Sequence, residues 1–255
     1  MNLFPAAFDH IYSLGGSCLP AITLDSLGLR NESMPFDWLL HGSLLKRVGL
    51  LSEERPDFPS AESLEPLGDE LSNTGHKRYR DRKSGIVTIH DFLPNAPMVD
   101  QLSKVREKFS RRFKRIRDRL TGRNLNVLFV WYNEPDGESA DDETLKLALD
   151  RISEVFPGNR YYLVCMNDTS SSSGLFDVSE NIRRIDGDFR TGGGFRQHLR
   201  SLRVRGELAA FRRRTLSRRR LAKLLSSLIP ISAARKKVRM KLQEMLGVQS
   251  RVYAR

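Results

Sequence analysis

Apolar positions along this chain change period several times, and each change marks an element. His10-Ile-Tyr-Ser-Leu14 reads as a strand that runs into the turn Gly15-Gly16-Ser17. Leu19 to Leu27 reads as a helix closed by Gly28, with Pro20 in the first turn, where its missing N–H costs nothing. Met34-Pro-Phe-Asp-Trp38 is a compact aromatic segment, and Leu39 to Leu51 follows as a short helical pattern. Residues 52–84 are rich in Pro, Glu, Ser, Gly and charge and show no clear period. They read as a long surface excursion with room for one short helix.

Beyond this excursion the periods sharpen. Gly85-Ile-Val-Thr-Ile-His90 is a β-branched strand. Val99, Leu102, Val105, Phe109, Phe113, Ile116 and Leu120 recur at spacings of three and four, which puts them on one helix face. Leu125 to Tyr132 is the strongest strand signal in the chain. Asp141 to Phe156 reads as a helix whose acidic first turn suits the helix dipole, and Pro157-Gly158 stops it. Arg160 to Met166 and Asn181 to Ile185 read as two more strands.

Strands that alternate with helices of this length predict βαβ units. The expected fold is therefore α/β, with a mostly parallel sheet flanked by helices. The apolar runs at 125–132 and 161–166 fit strands buried on both faces. In such sheets ligands bind beyond the carboxyl ends of the strands. Those ends supply Gly15, Gly16, Ser17 and Cys18, then His90 and Asp91, then Asn133 and Glu134, then Asn167 and Asp168, and finally Asp186 and Asp188.

Cys18 is the sharpest feature of this predicted rim. It follows a Gly-Gly turn and opens a helix, and a helix N-terminus favours a thiolate. Glycines let backbone N–H groups face a bound oxyanion, here expected near Ser17–Leu19. A thiol nucleophile needs a base, and the base needs an orienting partner. His90 is the best-placed base; Asp91, Asn133 and Asp37 are candidate orienters. Gly15, Gly16, Ser17, Asp37, Trp38 and Glu134 are the candidate substrate-binding residues. Cys165 lies inside an apolar run and reads as core. The glycine turn lacks both the GxGxxG and the GxxxxGK[ST] spacing, and HExxH, CxxC and EF-hand patterns are absent. Neither a metal nor a cofactor is expected.

Charge changes the picture at the C-terminus. The net charge is +12. Residues 196–255 hold 18 basic and 2 acidic residues, whereas residues 1–195 hold 25 and 29. The expected division is therefore a weakly acidic α/β domain over 1–195 and a basic amphipathic helical tail over 196–255. Such helices suit an anionic membrane surface. They also suit nucleic-acid phosphates, but Phe211 and Tyr253 are the tail's sole aromatics, which disfavours base stacking. Two cysteines give no disulfide framework, and neither a signal peptide nor a transmembrane run of about 18 apolar residues is visible. A cytoplasmic protein is expected, with its tail at the inner face of the membrane.

The run Ile11-Tyr-Ser-Leu-Gly-Gly-Ser-Cys18, then Leu27-Gly-Leu-Arg30, Ser33 and Pro35-Phe-Asp-Trp38, resembles the opening of a bacterial family known as putative papain-like cysteine peptidases. His90-Asp91-Phe92, Arg112-Phe113 and Leu128-Phe129-Val130 fit later parts of the same pattern, so the resemblance spans roughly residues 8–190. The resemblance implies that Cys18 is the nucleophile and His90 the base, and it leaves the third member open. It also implies an alternative fold, the α+β arrangement of papain. The leading functional reading is a cysteine-dependent hydrolase or acyltransferase acting on a peptide or an acyl- or glycan-type substrate. The alternatives are a transferase of cell-surface polysaccharide assembly and a non-catalytic module that docks on membranes through its tail.

Overall fold

In the computed structural model the described residues are 4–5, 7–135, 138–169 and 174–189, with the backbone of 212–213. The elements run β1 (Ala7–Phe8), β2 (His10–Gly15), α1 (Leu19–Ser26), β3 (Leu39–Leu40), α2 (Leu44–Ser52), β4 (Leu64–Pro66), β5 (Lys77–Asp81), β6 (Val87–Phe92), α3 (Met98–Leu120), β7 (Asn126–Asn133), α4 (Asp142–Val155), β8 (Arg160–Asp168), β9 (Gly174–Ser179), β10 (Ile182–Gly187) and β11 (Arg212–Arg213). The main sheet has the order β2-β7-β8-β10-β9. Its first four strands are parallel and β9 closes the edge antiparallel. The fold is thus α/β with a mostly parallel sheet flanked by helices.

Strand β7 shows why this sheet is central. All eight of its residues are buried. Val127, Phe129 and Trp131 face one cluster, which includes the apolar faces of α2, α3 and α4. Leu128, Val130 and Tyr132 face the other, which includes Leu24 of α1. Side chains alternate between the faces of a strand, so a continuous apolar run feeds two cores at once. On α3 the predicted face is buried from Leu102 to Leu120, while Val99, in the first turn, stays 68% exposed.

Three expectations are corrected. The pattern over 39–51 is not one helix: it splits into β3 and α2 because His41 (φ 51°) and Gly42 (φ 72°) both adopt left-handed backbone. Ser43 then caps α2, its side chain accepting from Lys46 N–H. The excursion over 52–84 carries β4 and β5, whose strand signal is hidden because β5 reads Lys-Arg-Tyr-Arg-Asp with one apolar residue. Finally, β6 does not join the parallel sheet. It pairs antiparallel with β3 and β5 in a separate sheet of order β3-β6-β5-β4. The proposed boundary at 195/196 and the tail helices lie outside the described residues, apart from β11, which pairs in parallel with β1.

Candidate active site

The turn after β2 is fixed by its glycines. Gly15 (φ 88°) and Gly16 (φ 89°) lie in backbone that L side chains avoid. A methyl group on Gly16 would sit 1.9 Å from the carbonyl oxygen of Tyr132, so the turn packs directly on the end of β7. Cys18 follows as the N-cap residue of α1. The Ser17 hydroxyl accepts from the Leu19 N–H at 3.1 Å. That amide is therefore engaged within the turn, which removes it from the predicted oxyanion donors.

The second sheet brings the imidazole. His90 on β6 places Nε2 3.9 Å from Cys18 Sγ. Its Nδ1 lies 3.0 Å from the hydroxyl of Thr74, which also meets Nδ1 of His76 at 3.2 Å. When Nδ1 of His90 donates to Thr74, Nε2 is the proton acceptor facing the thiol. The Trp38 ring stands edge-on to His90, with centroids 5.9 Å apart, and the Arg30 guanidinium lies 5.3 Å from the Trp38 centroid.

The other sequence-predicted residues distribute themselves around this pair. Asp91 is ion-paired with Lys108 of α3. Neighbours on a strand point to opposite faces, which turns Asp91 away from the His90 side. Asn133 is committed to the β7–α4 connection: Oδ1 accepts from Trp131 Nε1 at 2.7 Å and from Ala140 N–H at 2.9 Å, while Nδ2 donates to the Ala140 carbonyl at 2.8 Å. Asp37 is buried and accepts from Arg30 at 2.6 and 2.8 Å and from Met34 N–H at 2.9 Å, so it anchors the Phe36–Trp38 segment. Glu134 Oε2 lies 2.9 Å from Nδ1 of His41, and the His41 N–H donates to the Gly16 carbonyl. At the far rim Asn167 donates to Asp186, and Asp168 accepts from the Tyr132 hydroxyl.

These contacts bring Cys18, His90, Thr74 and Trp38 together. A family model described as "Putative papain-like cysteine peptidase (DUF1796)" matches residues 9–155. The chain belongs to this family. No curated protein and no solved structure matches it. The matched segment includes Cys18, His90 and the sheet residues that bracket them, and the family's description is that of a cysteine hydrolase.

Three residues near the pair carried no recognisable signal in the sequence. Thr74 lies in the segment without a period, His41 sits where a helix was expected, and Arg47 looks like a solvent-facing helix residue. Each also meets a residue distant in sequence: Thr74 meets His90, His41 meets Glu134 and Arg47 meets Trp131. Cys165 behaves as core: it is fully buried, and burial pushes its thiol well above the usual range. Among the described residues no three His, Cys, Asp or Glu side chains converge to hold a metal, and no helix is long and apolar enough to cross a membrane.

Proposed function

We propose that this family member is a cysteine-dependent acyl-transfer hydrolase. Cys18 Sγ attacks a carbonyl carbon as His90 Nε2 takes the thiol proton. The tetrahedral adduct collapses to a thioester, and the proton passes from His90 to the departing amine or alcohol. Water then attacks the thioester, with His90 again as base, releasing a carboxylic acid and restoring the thiol. The observation that carries this reading is the 3.9 Å separation of Sγ and Nε2 at the start of α1. That separation is within the loose range common for resting nucleophile–base pairs, which tighten when substrate binds. Thr74 supports it as the group that orients the imidazole, a role the sequence offered to Asp91, Asn133 or Asp37.

Acetylation by p-nitrophenyl acetate tests this. The expected product is one acetyl group on Cys18, found by peptide mass mapping, with a burst of nitrophenolate. Cys18→Ala abolishes the burst, and His90→Ala slows it by about two orders of magnitude, the usual scale for a general base. Acetyl groups confined to lysines, with no Cys18 thioester, would contradict the proposal.

A further inference from the structure

Arg47 is the most deeply buried cation among the described residues that flank the turn, with 0% exposure. Its Nη2 donates to the carbonyl oxygens of His41 (2.5 Å) and Leu39 (3.3 Å). The guanidinium carbon lies 5.6 Å from the ring centres of both Phe36 and Trp131. Nε and Nη1 have no hydrogen-bond partner. Nη1 faces the Cys18 turn, since a methyl group on Gly15 would come within 2.5 Å of it.

A buried guanidinium with two donors left without partners is costly to keep charged. A methionine would fill this apolar setting between Phe36 and Trp131 without that cost. The charge has a use at the turn, however. Burial pushes the Arg47 pKa down to about 9, while Glu134 and Cys18 act on it in the opposite direction, so it is a cation at neutral pH. An anion that stabilises a cation is stabilised by it in equal measure.

We propose that Arg47 is a positioning residue for Cys18: its buried charge favours the thiolate, and Glu134 opposes that effect. This deepens the proposed function and rests on Cys18 being its nucleophile. Among the described residues, Arg47 from α2 faces the turn at Gly15, His90 from β6 faces Cys18, and Glu134 after β7 acts on Arg47 and lies against His41, whose N–H donates to the Gly16 carbonyl. The two substitutions that remove opposite charges therefore have opposite effects. Arg47→Met raises the pH midpoint of Cys18 reactivity, and Glu134→Gln lowers it.

The test is the rate of iodoacetamide alkylation of the full chain against pH, read separately at Cys18 and Cys165 by mass spectrometry. A midpoint shift of about one unit is expected for Arg47→Met, which is about a tenfold slower reaction below both midpoints. Cys165, buried at 0% exposure, reports the fold, because it is labelled once the core opens. If Arg47→Met exposes Cys165, then Glu134→Gln, which leaves Arg47 in place, decides the matter: a lowered midpoint supports the proposal and an unmoved one overturns it. A low wild-type midpoint that neither Arg47→Met nor Glu134→Gln shifts overturns the role of Arg47 and leaves the nucleophile standing. A wild-type midpoint near the ordinary ~8.5 removes the activated nucleophile itself, and this proposal with it.

Discussion

Cys18 Sγ lies 3.9 Å from His90 Nε2, although 72 residues and two different sheets separate them. The parallel sheet delivers the thiol through a Gly-Gly turn into a helix. The antiparallel sheet delivers the imidazole from mid-strand. Their meeting depends on how β3, α2 and the 34–38 segment join the two sheets, so the pair is as stable as that junction.

The hydroxyl of Thr74 lies 3.0 Å from Nδ1 of His90, and the proposed orienting role rests on that contact. Thr74→Val keeps the shape and removes the hydrogen bond. Such a bond contributes on the order of 1 kcal/mol, so acetylation of Cys18 falls by about fivefold with little change in unfolding midpoint. Asp91→Asn leaves the rate of the folded protein unchanged, since its carboxylate serves Lys108. The reverse order of effects in a side-by-side rate measurement would reassign the orienting role to Asp91.

Arg30 and Asp37 form a buried pair, 4% and 1% exposed, that braces Trp38. Asp37→Ala leaves the guanidinium with the longer 3.6 Å contact to Asp25 as its remaining ion pair among the described residues. Removing one partner of such a pair costs about 3–5 kcal/mol. Urea unfolding is expected to show a loss of that size, together with a slower Cys18. A loss under ~1 kcal/mol, the size typical of exposed pairs, would show that the pair is not structural.

Much of this architecture was readable from apolar periodicity. The runs that became β2, β7 and β8 are buried on both sides, and the face of α3 from Leu102 to Leu120 is the buried one. Cys18 and His90 were legible as candidates, one from its glycine turn and the other from a run expected to stop in a histidine, although β6 continues to Phe92. The placing of β6 in a second sheet was not, because its neighbour β5 is charged and lacks an apolar signature. Neither was the break at His41-Gly42, where a histidine adopts a left-handed conformation that its own chemistry does not call for. Thr74 escaped notice because its contact with His90 joins residues 16 apart in sequence, inside a segment without a period.

Lys108 gives the fold a measurable pH response. Burial, with Arg112 and Arg111 close by, pushes its pKa down to about 7, whereas contact with Asp91 acts in the other direction. The folded value lies below the ordinary lysine value, so the unfolded chain binds more protons between the two. Stability contributed by Lys108 therefore grows as pH rises above about 7 and is absent below it. Because Lys108 is 29% exposed, the gain between neutral pH and pH 9 is on the order of 1 kcal/mol. Lys108→Met is expected to flatten that part of the urea-stability profile. Parallel profiles for variant and wild type would place Lys108 at its ordinary value.

The central claim is that Cys18 and His90 act as one nucleophilic unit. It is tested most directly by the pH dependence of Cys18 alkylation in wild type and in His90→Gln. The account predicts a wild-type midpoint well below the unperturbed ~8.5, moving up toward that value when the imidazole is removed. A Cys18 that titrates near ~8.5 in wild type and is indifferent to His90→Gln would contradict it.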